Sequence, residues 1–197
     1  MTKEVVVLTP QTTVGEALAL RTERRIRHLP VLEEGRLVGI VSDRDLRSAD
    51  QENVGVSEVM TRDVLTAYPD DPIEEAANVL REAKIDCLPV VEGGRLIGII
   101  TTSDVMEALV YLVGAHEPGS RLEVLLPDRP GTLAGVAEVF RDHGVNVLSV
   151  VAAPQRESPD GAPEGRVAVF RIDTINPSAV IRGLEAAGYR VLWPPRA

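Results

Sequence analysis

Aromatic side chains are scarce in this chain: one Trp, three Tyr and two Phe among 197 residues. So sparse a set offers little for stacking on exposed nucleic-acid bases. A basic excess is also missing. Lys and Arg number 21 against 30 Asp and Glu, a formal net charge of −9, which is the wrong sign for a general nucleic-acid binder. Cys87 is the only cysteine, and this excludes an intrachain disulfide and a cysteine-rich zinc site. No apolar run approaches the ~18 residues of a membrane span. The opening MTKEVVVLTPQTT lacks the charged-then-apolar pattern of a secretory signal. The expectation is a soluble, cytoplasmic chain. What it does have is 44% hydrophobic and 26% charged residues, the composition of a protein that buries a core.

An internal repeat organises the first half. Residues 1–46 align with 60–105 at a constant offset of 59, with no gap and with 18 of 46 pairs identical. Ile26-Arg27-His28-Leu29-Pro30-Val31 matches Ile85-Asp86-Cys87-Leu88-Pro89-Val90, and Gly35-Arg36-Leu37-Val38-Gly39-Ile40 matches Gly94-Arg95-Leu96-Ile97-Gly98-Ile99. Each copy reads as a short apolar strand (Val5–Leu8; Val64–Ala67), a helix, two strands and a second helix beginning at Ser42 or Thr101. In the second copy Ile73, Ala76, Ala77 and Leu80 fall at helical spacing, with Asp71-Pro72 as N-cap and first position. The equivalent face of the first copy is Val14, Ala17 and Leu18. A copy of about 46 residues cannot bury both faces of its sheet, so the two are expected to pack as one domain.

These marks resemble the CBS-domain family. They are the Leu-Pro-Val strand, the Gly-Arg-Leu-(Val/Ile)-Gly-Ile strand and the Ser/Thr-x-x-Asp ending. The tandem pair resembles a Bateman module, with domains placed at 1–53 and 54–113.

Residues 121–193 have another rhythm: strand, helix, two strands, helix, strand. The expected elements are a strand Leu122–Leu126, a helical stripe of Leu133, Val136, Ala137 and Phe140 stopped by Gly144, a strand Val145–Ala152 and a strand Val167–Ile172. A helix entered at Asn176-Pro177 follows, with Val180, Ile181 and Leu184 on one face, then a last strand Tyr189–Trp193. The Pro- and Gly-rich stretch 154–165 predicts a mobile loop. The order βαββαβ is ferredoxin-like. Arg129-Pro130-Gly131-x-Leu133 followed by Gly144-Val145-Asn146 resembles an ACT domain, placed at 121–197, with His116–Ser120 as linker. The fold class is therefore α/β (α+β): a tandem CBS pair followed by an ACT-type domain. The order CBS–CBS–ACT resembles the acetoin utilization protein family.

The sharpest chemical feature is Ser42-x-x-Asp45 with its repeat Thr101-x-x-Asp104. Such a pair forms a capping box, the hydroxyl accepting from a backbone N–H and the carboxylate reaching back. A helix start also draws phosphate, and a carboxylate there can accept both hydroxyls of a ribose. The CBS resemblance implies the second use: Asp45 and Asp104 on ribose, Ser42, Thr101, Arg27 and His28 on phosphate of an adenine nucleotide. Asp86 and Cys87 stand where the first copy has Arg27 and His28, so two sites of unequal affinity are expected. Residues 1–115 carry 12 cations against 20 anions, so an anionic guest needs a local basic pocket. Cys87 reads as a small core residue.

The ACT resemblance implies effector contacts at Asp128 and Asn146, whereas turn chemistry alone explains Asp128 as a residue bonding its own backbone. Asp128 stands where the family has Asn, and Leu126 where a polar side chain can occur. His28, His116 and His143 show no metal-ligand spacing, and no nucleophile elbow or phosphate-binding glycine motif is present.

The expectation is a non-catalytic regulatory sensor, homodimeric and without a cofactor, binding AMP, ADP, ATP or S-adenosylmethionine in the CBS pair. The alternative is an amino-acid-sensing subunit using the ACT-like domain. Met1 aligns with Met60, which follows the lead-in Val56-Ser57-Glu58-Val59. A natural start several residues upstream of Met1 is expected for that reason.

Overall fold

In the computed structural model, which describes residues 1–157 and 163–195, the two repeats fold alike. The first has helix α1 (Val14–Arg24), strands β1 (His28–Glu33) and β2 (Arg36–Ser42), and a short helix α2 (Asp43–Arg47). The second has α3 (Ile73–Ala83), β3 (Cys87–Glu92), β4 (Arg95–Thr101) and α4 (Thr102–Leu112). Helix α1 begins with a reciprocal cap that the sequence reading missed: Thr13 Oγ1 accepts from Glu16 N at 3.2 Å, and Glu16 Oε2 from Thr13 N at 2.8 Å. Helix α3 corrects an expectation. Its N-cap position is Pro72, with no side-chain cap. Asp71 turns back instead, accepting from Tyr68 N at 2.7 Å.

Each repeat closes a hairpin, β1 on β2 and β3 on β4, with a register shift at Val31/Leu32 and its copy at Val90/Val91. The hairpins meet where Arg36 pairs Arg95, giving one four-stranded sheet in the order β1-β2-β4-β3. The expected strands Val5–Leu8 and Val64–Ala67 are reduced to one parallel bridge each, Leu8 to Val31 and Ala67 to Val90. Leu8 N donates to Pro30 O and its carbonyl accepts from Leu32 N. The next bond back along the ladder would need an N–H on Pro30, and on Pro89 in the copy. Neither proline has one, so the pairing stops.

The repeats exchange their leading segments. Thr61 pairs with Ile40 of the first repeat, and Thr2 with Ile99 of the second. A Cβ at Gly39 would overlap the Met60 sulfur, and one at Gly98 the Met1 sulfur. Each methionine thus lies flat on the other repeat's strand, which only glycine permits. One core gathers Leu8, Val14, Ala17, Leu29, Val31, Val41 and Val56. Its counterpart gathers Ala67, Ala76, Leu80, Leu88, Val90 and Ile100. The lead-in Val56–Glu58 is a 3₁₀ turn, as expected of a short helix there.

The chain divides within α4: one unit spans Met1–Glu107, the other Ala108–Ala197. In the second unit β5 (Ser120–Leu126), α5 (Thr132–Asp142), β6 (Val147–Glu157), β7 (Pro163–Ile172), α6 (Ser178–Ala186) and β8 (Arg190–Trp193) follow in turn. The antiparallel sheet has the order β6-β7-β5-β8, the ferredoxin-like arrangement. Its core holds Leu122, Val124, Val136, Phe140, Phe170, Val180 and Leu184. Phe140 meets Phe170 edge-on, with ring centroids 5.1 Å apart.

Three details differ from expectation. Leu133, placed in the buried stripe, is 49% exposed, and Thr132 is buried in its stead. The loop 154–165 is shorter, because pairing continues through Gln155–Arg166, Arg156–Gly165 and Glu157–Pro163. Pro154 falls inside the register shift between Ala152 and Gln155, where no ladder N–H is required. The rest of that loop, 158–162, lies outside the described residues. The linker at 116–120 is held to the sheet of its own unit. Ser149 Oγ donates to Val113 O at 2.8 Å, Arg171 Nη2 donates to Glu117 O at 2.8 Å, and His116 stacks on Tyr111.

Candidate functional site

Both Ser/Thr-x-x-Asp motifs form the capping box. Asp45 Oδ2 accepts from Ser42 N at 2.8 Å and from Ser42 Oγ at 2.7 Å, while Asp45 N donates to Ser42 Oγ at 3.3 Å. The copy repeats the geometry with Thr101 and Asp104 at 2.8, 2.6 and 3.3 Å. In each case one carboxylate oxygen, Oδ2, holds the turn. The other oxygens differ. Asp104 Oδ1 lies 3.2 Å from the Met1 amino group, whereas Asp45 Oδ1 has no partner among the described residues.

Two cavities flank the centre of the CBS pair, and they are copies of each other at the same offset of 59 residues. The larger, about 800 Å3, brings Ser42 and Asp45 of the first repeat against Val64 and Leu65 of the second, with Lys84–Cys87 along one side. The smaller, about 460 Å3, brings Thr101–Ser103 of the second repeat against Val5 and Val6 of the first, with Arg25–His28 along the side. Arg27, His28 and Asp86 line both cavities. Asp104 does not line the smaller one. So the structure places Ser42 and Asp45 in one cavity and Thr101 in the other, with Arg27 and His28 shared. Leu65, half exposed, offers an apolar wall in the larger cavity.

Charge is balanced in each. In the larger cavity Arg27, Arg44, Arg47 and Lys84 face Asp43, Asp45, Asp63 and Asp86. Asp43 is already engaged by Arg21 at 2.6 Å and Arg47 at 2.8 Å, and the Arg47 hydrogen bond holds its carboxyl below the usual range. In the smaller cavity Arg25 and Arg27 face Glu4 and Asp86. Burial pushes the His28 pKa down and outweighs the pull of Asp86, so the ring is neutral near pH 7. Burial raises the Asp104 pKa, but hydrogen bonds from Thr101 and the Met1 amino group overcome it and hold the carboxylate ionised. Cys87 is pushed up to about 12, by burial first and by Asp86 second. Its thiol is buried and inert, as expected of a core residue.

Asp128 Oδ1 lies 3.6 Å from Arg166 Nε. Asn146 is clamped by backbone: its N donates to Asp173 Oδ1 at 2.9 Å and its carbonyl accepts from Asp173 N at 3.1 Å. Asp173 supplies both partners, and the sequence reading did not single it out. Among the described residues no cluster of three or more His, Cys, Asp or Glu is placed to hold a metal. Among the described residues no helix is long and apolar enough to cross a membrane.

A duplicated half-module with paired clefts at its centre, followed by a ferredoxin-like domain, defines a class of tandem-repeat proteins extended by an α+β domain. Comparison with known proteins agrees. The CBS-domain model matches residues 1–52 and 56–111, and the ACT-domain model residues 120–188. The chain belongs to the CBS-domain family and carries an ACT domain after its two CBS domains. Inosine-5′-monophosphate dehydrogenase of Korarchaeum cryptofilum is 35% identical over 159 residues, 75% of this chain but 33% of that enzyme. The chain thus spans about a third of the length of that relative. A solved Vibrio cholerae protein assigned to acetoin utilization (AcuB) is 35% identical with a TM-score of 0.54, covering 60% of this chain and 94% of that one. CBSX2, solved in complex with AMP, is 35% identical with a TM-score of 0.54, over 56% and 92%. The CBS pair of protein MJ0100, solved with 5′-methylthioadenosine and S-adenosyl-L-methionine, is 30% identical with a TM-score of 0.53, over 59% and 94%.

Proposed function

We propose that this protein is a non-catalytic regulatory sensor whose CBS pair binds an adenosyl ligand, with its larger cavity as the principal site. The observation that carries this reading is the pairing inside that cavity. Asp45, whose Oδ1 is uncommitted, lines the same cavity as the apolar side chains of Val64 and Leu65. A ribose diol needs the first and an adenine ring the second. Arg27 and neutral His28 stand as donors for a phosphate or carboxylate. Likeness to CBS pairs solved with AMP and with S-adenosyl-L-methionine supports the ligand class.

The balanced lining favours guests of few formal charges, AMP or S-adenosylmethionine, over ATP. Four phosphate charges would meet as many carboxylates as cations. Thr101 and Asp104 form the weaker site, because Asp104 does not line the smaller cavity. The boundaries 1–53, 54–113 and 121–197 are the units of this reading, and the assembly is a homodimer. The likeness to the Vibrio cholerae protein supports a place among the acetoin utilization proteins.

Calorimetric titration with AMP and with S-adenosylmethionine tests the site. Asp45→Ala removes two charge-assisted hydrogen bonds to ribose, each worth about 1.5–3 kcal/mol. At least a tenfold loss of affinity is expected, with a smaller loss for Asp104→Ala. Unchanged affinity in both variants overturns the assignment.

A further inference from the structure

The two cavities of the CBS pair share their centre. Arg27, His28 and Asp86 line both, and Arg27 and Asp86 are counterparts at the offset of 59. Exchanging the repeats exchanges the cavities and carries one of these positions onto the other. Two identical residues there would serve both cavities alike. In this chain one is a cation and the other an anion.

Backbone bonds fix the pair. Asp43 N donates to Arg27 O at 2.8 Å, and Thr102 N to Asp86 O at 3.0 Å. Each residue thus stands beside the helix start of its own repeat, where the hydroxyl–carboxylate motif begins. Both side chains are exposed, and neither forms a hydrogen bond or ion pair among the described residues. The charges of both reach the His28 ring. Away from the centre each cavity has a basic residue of its own, Arg25 in the smaller and Lys84 in the larger, again at the offset of 59. Those two are matched in charge, whereas Arg27 and Asp86 are not.

With ribose at the motif and adenine on the leading segment, the 5′ end of a guest in either cavity reaches this centre. The first phosphate to arrive takes Arg27. A second would find that cation engaged, a carboxylate at Asp86 and the charge of the first phosphate nearby. A guest with a neutral or cationic 5′ end meets none of these penalties. Resting on the adenosyl reading of the CBS pair, we propose that its two cavities take guests of unlike charge: one with an anionic 5′ group on Arg27, and one whose 5′ end is uncharged or cationic beside Asp86. A nucleoside monophosphate fits the first role, and a nucleoside or a sulfonium the second.

Calorimetric titration of the full chain with adenosine and with AMP tests this. Adenosine should fill both cavities, and the ratio of its two dissociation constants records their unequal walls. For AMP that ratio should be wider by roughly tenfold or more, because the second phosphate lacks a charge-assisted bond that the first one has. Asp86→Arg gives each guest a cation and should bring the AMP ratio down to that of adenosine. The anchoring bond uses the backbone carbonyl, so the fold should survive, which circular dichroism checks. Should Asp86→Arg unfold, Asp86→Lys replaces it. Three results overturn the proposal and leave the adenosyl reading standing: equal ratios for AMP and adenosine in the wild type, an AMP ratio unmoved in a folded Asp86 variant, or adenosine filling one cavity alone. Binding of neither compound overturns the adenosyl reading itself, and the proposal falls with it.

Discussion

At the scale of single residues, Cys87 shows how position decides chemistry. It lines the larger cavity, as His28 does, and a thiol paired with an imidazole can be a nucleophile. Here the environment works the other way. Only 5% of Cys87 is exposed, and the pKa near 12 leaves almost no thiolate at pH 8. An unfolded cysteine, with pKa ≈ 8.5, is about one quarter thiolate at that pH. Labelling by a disulfide reagent at pH 8 should therefore run at least 100-fold slower in the native chain than in urea. A native rate within tenfold of the denatured one would show that the thiol is open to solvent. This residue was legible in the sequence, since a cysteine before a Leu-Pro-Val strand is placed like a core residue. The capping geometry of Ser42 and Asp45 was legible too, because hydroxyl and carboxylate three residues apart can meet only at a helix start. The reach of Asp71 was not. Asp before Pro fits a helix cap and a turn equally well, and the turn closing on Tyr68 N is decided by chain direction two residues upstream.

At the scale of elements, the contact between α5 and α6 is set by one missing side chain. A Cβ at Gly183 would overlap the His143 ring and come 3.1 Å from Val139 Cγ1. The ring has little freedom to retreat, since its Nδ1 is 2.8 Å from Val139 O. In an open helix Gly→Ala stabilises by about 1 kcal/mol. In this one, Gly183→Ala alone should be neutral or destabilising, and the same change in a His143→Ala background should stabilise by about 1 kcal/mol. Chemical denaturation of the four proteins measures the coupling. Equal effects in both backgrounds would mean that the ring does not hold the helices apart. Such contacts leave no periodic trace in a sequence, which is why α5 and α6 were each readable as helices and their contact was not. The lost strands at Val5–Leu8 and Val64–Ala67 have a similar cause. Their apolar character was visible, but the ladder depends on Pro30 and Pro89, more than twenty residues away along the chain.

At the scale of the molecule, the repeat carried most of what could be read, and the limit of that reading is instructive. The offset of 59 paired Met1 with Met60 and Ser42 with Thr101. It could not show that each cavity joins the hydroxyl–carboxylate motif of one repeat to the leading segment of the other, because that crossing arises only when the halves exchange Thr2 and Thr61. The exchange makes the CBS pair one cooperative body, since neither repeat keeps its own wall. The ACT unit has a separate core around Phe140 and Phe170. Heating should then produce two calorimetric transitions, and an adenosyl ligand should raise one of them. At a free concentration of 100 times Kd, binding to the folded state alone contributes about 2.7 kcal/mol. That shift belongs to the CBS transition, and Asp45→Ala should remove most of it while leaving the ACT transition in place. A single transition that moves as a whole would mean that the guest, or the fold, joins the two units. Movement of the ACT transition alone would carry the sensing to Asp128 and Asn146 and away from the CBS cavities.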